Sequence, residues 1–173
     1  GWESLLRAND LATLAGVYRF AGGEIVTRTR TTEVRRVELR DGLEVRTLFI
    51  KQYWANRFGQ LWSGALRGTF LGRSKARREF ENLARLREWG LDAPAPVAFG
   101  EDRRCRWLTR SFLISEGVME PQPLDVFIRD VLPMLPAPEQ QRTRRELIEH
   151  LADYVHSLHA RPFVPHDLFW RNI

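Results

Sequence analysis

Hydrophobic and polar positions change rhythm along this chain, and each change marks a different kind of element. Ile25 and Val26 open a stretch in which Thr and Arg alternate to Thr32. Val34, Val37 and Leu39 carry the extended pattern on to Asp41-Gly42, a dipeptide suited to a tight hairpin turn. Val45, Leu48, Phe49 and Ile50 then predict a strand ending at Lys51-Gln52-Tyr53, so three consecutive antiparallel strands are the simplest account. Ahead of them, Leu5, Leu6, Leu11 and Leu14 lack a decisive period, and residues 1–22 read equally as a short helix or a docked arm. Residues 54–72 scatter Trp54, Phe58, Leu61, Trp62, Leu66, Phe70 and Leu71 among Gly59, Gly64, Gly68 and Gly72, as a loose helix or an amphipathic insert would. The period becomes helical at 74–89, where Ala76, Phe80, Leu83 and Leu86 form an apolar stripe between a Ser74 cap and a Gly90 stop.

The second half is more broken. Asp92-Ala93-Pro94-Ala95-Pro96 predicts an extended connection, because each proline restricts the residue before it. Val97-Ala98-Phe99 reads as a strand, residues 101–104 as a charged turn, and residues 107–115 as another strand leaving through Glu116-Gly117. A short helix is expected at 124–132, a proline-broken linker at 133–138, and a long helix at 139–160 with Leu147, Leu151, Tyr154, Val155 and Leu158 facing inward. The order is that of an α+β protein: residues 1–116 a sheet lobe with one main helix, and residues 117–173 the start of a helical lobe. The chain shows no internal repeats and no low-complexity segments.

Composition narrows the class without naming it. With 173 residues, 43% hydrophobic and 28% charged, the chain has the make-up of a globular protein with a real core, and none of its apolar runs is long enough to span a bilayer. Cys105 is the only cysteine, which excludes an intrachain disulfide, leaves a cysteine metal cluster without support and fits a reducing cytoplasm. Net charge is +5, and Arg67, Arg73, Lys75, Arg77 and Arg78 follow one another without an intervening acid. Arg28, Arg30, Arg35 and Arg36 make a second group, diluted by Glu33. Such patches suit phosphorylated substrates, acidic headgroups or nucleic acid, and suit a solvated surface equally well.

The chemistry is concentrated at the end of the chain, in Phe163-Val164-Pro165-His166-Asp167-Leu168-Phe169-Trp170-Arg171-Asn172-Ile173. Asp167 and Asn172 have the D-x-x-x-x-N spacing of a phosphotransferase catalytic loop, where the acid orients a substrate hydroxyl and the amide oxygen holds a metal. His166 reads equally as a brace for the loop backbone and as an ordinary loop histidine. Upstream, Lys51 ends a strand where phosphoryl transfer would need a cation on the nucleotide phosphates. Of the 27 basic residues only Lys51 and Lys75 are lysine, so a lysine kept after Leu48-Phe49-Ile50 suggests a need for a compact ammonium on a flexible stem. The competing reading is a snorkelling strand lysine. Glu79 borders the Leu83–Leu86 stripe and would aim Lys51, whereas Glu81 points about 200° away around the helix. A surface pair between Glu79 and Lys75, one turn earlier, is the rival arrangement. Ser115-Glu116-Gly117-Val118 lies where a hinge between lobes would be, and backbone groups of Glu116 and Val118 would read an adenine ring there; an ordinary strand exit accounts for it as well.

Taken together, Phe49-Ile50-Lys51, Arg78-Glu79-Phe80 with Leu83, Leu86 and Gly90-Leu91, Val97-Ala98-Phe99-Gly100 and His166-Asp167-Leu168-Phe169-Trp170-Arg171-Asn172-Ile173 resemble the lipopolysaccharide kinase family. These are the bacterial Kdo and heptose kinases of the protein-kinase-like superfamily, and the resemblance covers most of residues 24–173. It implies a two-lobed protein-kinase-like fold, ATP and magnesium as cofactors, and transfer of the γ-phosphate to a sugar hydroxyl of a lipid A–core precursor. The expected partner is therefore an anionic glycolipid met in the cytoplasm at the inner membrane face.

Two departures stand out. Thr29-Arg30-Thr31-Thr32 occupies the first hairpin turn, where many kinases carry a glycine-rich phosphate loop, and Pro165 stands where an H-x-D loop would have its histidine. A second metal-binding acid of the D-F-G type is expected beyond residue 173, so this stretch alone is expected to be inactive and poorly stable. Two alternatives remain: a small-molecule phosphotransferase of the aminoglycoside or choline type, and a pseudokinase adaptor. Nucleic-acid binding is not expected, because no recognition motif accompanies the charge.

Overall fold

β-Branched and aromatic residues recur through residues 24–54, and there the chain forms three successive strands, β1 (Glu24–Arg28), β2 (Thr32–Asp41) and β3 (Glu44–Trp54). The computed structural model describes residues 1–42, 44–54, 72–104, 107–117 and 123–161. Each strand pairs antiparallel with the next, and Lys51 lies opposite Val34. Gly42, just after β2, has φ +66°, a conformation that glycine adopts without steric cost. β4 (Pro96–Arg104) and β5 (Trp107–Glu116) complete a five-stranded sheet in the order β1-β2-β3-β5-β4. Residues 101–104, expected as a charged turn, are the end of β4 instead. Their charges are answered locally and across the ladder: Arg103 holds Glu101 at 3.0 Å, and Arg110 on β5 holds Asp102 at 3.1 Å.

Side chains alternate between the two faces of a sheet. On one face Val37, Leu39, Leu48, Ile50, Phe112 and Ile114 are buried beneath Leu5, Leu6, Leu11 and Val17. These come from two short helices, α1 (Trp2–Ala8) and α2 (Leu14–Arg19), which resolve the ambiguous opening of the chain into a docked helical arm. Helices this short are not stable alone in water, so their order comes from the apolar surface they share with the sheet. Gly100 faces the same layer, and a Cβ there would stand 2.4 Å from the Phe112 ring. Leu11, part of this layer, is 1% exposed. Leu11→Ala should therefore cost about 2–5 kcal/mol, read from urea unfolding; a cost under about 0.5 kcal/mol would mean that the arm lies outside the cooperative core.

The opposite face carries α3 (Lys75–Glu88). Ser74 caps it as expected: its hydroxyl accepts from the Arg77 amide at 3.0 Å, and its own amide donates to Glu101 of β4 at 3.2 Å. Gly90, at φ +74°, lets the chain turn away. Phe80 packs on Phe99 with ring centroids 4.9 Å apart. Of the expected stripe, Ala76 is fully buried, while Phe80, Leu83 and Leu86 are half-buried.

The chain divides into two compact units, Gly1–Met119 and Glu120–Ile173, and everything above belongs to the first. In the second, an α turn (Leu124–Val126), a π turn (Phe127–Val131) and a 3₁₀ turn (Leu132–Met134) follow one another, where a single short helix was expected. The proline-rich 133–138 stretch is a linker only at its middle. Residues 133–134 finish the 3₁₀ turn and Ala137-Pro138 open α4 (Ala137–His159), where a proline gives up an amide with no intrahelical partner to lose; Leu135 and Pro136 connect the two. Gln140 ties that end down by donating to the Leu135 carbonyl at 2.9 Å. Leu158 is buried, whereas Leu147, Leu151, Tyr154 and Val155 are half-buried rather than fully inward.

Candidate active site

Lys51 leaves β3 on the face that carries α3, between cross-strand neighbours Val34 and Leu113. It lies three residues inside the end of the strand, which runs to Trp54 rather than stopping at Tyr53. The capped start of α3 sets the helix phase, so that Glu79 points back at the sheet. Lys51 Nζ donates to Glu79 Oε1 across 28 residues of sequence. Lys75, the rival partner, is exposed in the first turn of the helix. Glu81 points away as its position predicts, and takes Arg73 at 2.7 Å and Arg77 at 2.9 Å. The Arg77 hydrogen bond, with the charge of Arg73 beside it, holds Glu81 below the usual carboxylate range.

The second oxygen of Glu79 is also occupied. Tyr53 donates its hydroxyl to Glu79 Oε2 at 2.6 Å. Burial first, and the Glu79 carboxylate second, push the Tyr53 hydroxyl far above its ordinary pKa, so it is a proton donor throughout the neutral range. Sequence reasoning missed Tyr53 as a site residue, although a signal was present: two residues after Lys51 on a strand, it must share that lysine's face. The two side chains of the ion pair are 34% and 32% exposed. An ammonium carries three protons, and with one directed at Glu79 the rest of this partly open head group can reach an anion.

The back of β3 is fastened to the helical arm. Gln52 is buried and donates to the Val17 carbonyl at 2.6 Å. The Tyr18 hydroxyl stands 2.8 Å from the carbonyls of both Tyr53 and Ser111, and its single proton serves one of them at a time. Burial pushes its pKa up to about 12. Trp54 meets the Tyr18 ring edge-on at 5.5 Å, and the Arg110 guanidinium lies over it at 4.8 Å. Neighbouring residues of β3 are thus held from opposite faces: Gln52 by the arm, Lys51 and Tyr53 by α3.

The glycine-free turn between β1 and β2 closes on itself. Thr29 donates its amide to the Thr32 carbonyl at 2.8 Å, and the Thr32 amide donates to the Thr29 hydroxyl at 3.1 Å. The threonine hydroxyl makes the turn here, leaving Arg30 exposed at its tip. Glu116 ends β5, half-buried, and its amide donates to the Ala95 carbonyl at 2.8 Å. Val118, His166, Asp167 and Asn172 lie outside the described residues, as do Cys105 and most of the 54–72 stretch. Among the described residues there is no group of three His, Cys, Asp or Glu side chains placed to hold a metal ion, and no helix long and apolar enough to cross a membrane.

Comparison with known proteins adds three findings. The model of the lipopolysaccharide kinase (Kdo/WaaP) family matches residues 23–173, which leaves the helical arm ahead of the matched region. A solved structure described as WaaP in complex with acyl carrier protein superposes with a TM-score of 0.60 at 23% identity, and at that level the likeness is one of fold. The match takes in 90% of this chain and 54% of that one, so the chain spans about half the length of its structural neighbour. No curated protein matches the chain.

Proposed function

The chain belongs to the lipopolysaccharide kinase (Kdo/WaaP) family, and on that premise we propose that it takes part in transfer of the γ-phosphate of ATP to a sugar hydroxyl of a lipid A–core precursor. The observation that carries this reading is the ion pair from Lys51 on β3 to Glu79 on α3. A strand lysine aimed by a helix glutamate is what a kinase-type site requires to hold the α- and β-phosphates of a nucleotide. Tyr53 and Lys51 bind separate oxygens of Glu79, which fits a site built to keep one lysine orientation.

In this reading residues 1–116 are the nucleotide-holding lobe and residues 117–173 begin the lobe that brings the acceptor. ATP, when bound with magnesium, supplies the phosphoryl group and the metal charge that offsets the negative oxygens around it. Lys51 holds the phosphates. Because the Glu116 amide is already engaged, its contact with an adenine ring would be made through its carbonyl, with the Val118 backbone as the second contact. Asp167 accepts the hydrogen bond of the sugar hydroxyl and takes its proton as that oxygen bonds to the γ-phosphorus and the bond to the departing ADP oxygen breaks. The Asn172 amide oxygen is assigned to magnesium, and His166 to bracing the loop. Exposed Lys75 and Arg78 support contact with an anionic glycolipid at a membrane surface; Arg73 and Arg77 are engaged by Glu81.

The test is incubation of the intact protein with γ-labelled ATP, magnesium and a lipid A–core acceptor. Label is expected on the acceptor sugar, and only when ATP and magnesium are both supplied. Label released solely as inorganic phosphate, or transferred to an aminoglycoside in preference to the glycolipid, would refute the assigned acceptor.

A further inference from the structure

Glu79 has two oxygens, and only one is explained by the lysine it serves. The other receives Tyr53, whose hydroxyl lies 2.6 Å away and whose ring is half-buried between β3 and α3. A carboxylate with one oxygen free can rotate about its last bond and slide along an ammonium, because a lysine head group is a point charge without directional demand. Fixing the second oxygen removes that freedom. The strand that carries the donor is itself fixed: the Tyr53 carbonyl lies 2.8 Å from the Tyr18 hydroxyl, and neighbouring Gln52 reaches the Val17 carbonyl at 2.6 Å. Tyr53 therefore reaches Glu79 from a backbone that has little freedom to follow the helix.

We propose that Tyr53 is a positioning residue of the nucleotide site, one that acts through Glu79 to hold Lys51 on the phosphates. The inference rests on the reading of Lys51 and Glu79 given above. Tyr53 touches neither substrate. Its hydroxyl keeps Glu79 directed at β3 while the lysine exchanges between nucleotide-bound and empty states, and it couples α3 to the same strand by a second, uncharged donor. This assigns the residue two places after the lysine a role that a purely apolar side chain could not fill.

The experiment is a double-mutant cycle in the intact protein, with magnesium-ATP as the probe and kcat/KM for ATP as the readout, alongside KM for the glycolipid acceptor and thermal melting. Tyr53→Phe keeps the ring and removes only the hydroxyl. It should lower kcat/KM for ATP about tenfold, the scale of one hydrogen bond to a charged group, with the acceptor KM unchanged. In a Lys51→Ala background the same substitution should cost nothing further, since the group it positions is gone. Three results would overturn the proposal: a Tyr53→Phe enzyme that matches wild type, an equal loss in both backgrounds, or a loss that tracks unfolding at the assay temperature. The prior reading has its own arm: if Lys51→Ala alone leaves ATP use unchanged, the assignment of the lysine fails, whatever Tyr53 does.

Discussion

Lys51→Ala is expected to lower kcat/KM for ATP by about 10²–10³, the scale seen when one preorganised donor to developing charge is removed. It should do so without unfolding the protein. Glu79 keeps the Tyr53 hydroxyl and is 32% exposed, so truncating the lysine does not strand a buried charge. Partly exposed ion pairs contribute little to stability, roughly 0.2–1 kcal/mol when measured, and the melting temperature should move only slightly. The expected pattern is thus a large functional loss with a small structural one, read by initial rates against ATP concentration and by thermal unfolding of the same preparation. The opposite pattern, a destabilised protein that phosphorylates at the wild-type rate, would make the pair a strut between β3 and α3 and nothing more. Lys51→Arg is the sharper companion: charge is retained, but the planar guanidinium would favour a fork-like grip on Glu79 over a point contact with phosphate. Recovery of full activity by arginine would weaken the claim that an ammonium is needed in a chain that otherwise writes arginine almost everywhere.

Each half of the pair carries a local signal in the sequence, although a snorkelling Lys51 and a Lys75–Glu79 pair fit those signals too. Lys51 stands out as one of two lysines, set after the apolar Leu48-Phe49-Ile50, and helix phase puts Glu79 on the stripe side while Glu81 turns to Arg73 and Arg77. The caps of α3 were legible for the same reason, since Ser74 and Gly90 act within a turn of their own positions. What stayed hidden depends on contacts that no local pattern records. Residues 101–104 look like a turn until Arg110 is known to lie across the ladder from Asp102. The opening residues look indeterminate because neither short helix has a reason to form until Val17 and Leu11 meet the sheet. On α4 periodicity identifies a stripe and is silent about what covers it; of the five positions expected inward, Leu158 is fully buried. Tyr53 was missed differently. Strand parity places it on the face of Lys51, but tyrosine on a strand is so ordinary as packing that its hydroxyl carries no signal of its own.

The closing loop allows the complementary experiment, because Asp167 and Lys51 are assigned to different substrates. Asp167→Asn keeps the size and polarity of the side chain and removes its ability to take a proton at neutral pH. Loss of a positioned general base costs about 10²–10⁴ in rate, so kcat should fall by that factor while the affinity for magnesium-ATP, measured by calorimetry, stays at the wild-type value. Lys51→Ala should weaken the use of ATP and leave the acceptor KM alone; Asp167→Asn should leave ATP binding alone and stop the hydroxyl from attacking. A rate near wild type in Asp167→Asn would show that the D-x-x-x-x-N spacing arose without catalytic meaning, and Lys51 with Glu79 would then describe a nucleotide-binding lobe lacking its base. Loss of ATP binding in the same variant would place Asp167 on the metal rather than on the acceptor, and would leave His166, adjacent in sequence, as the side chain able to take the hydroxyl proton.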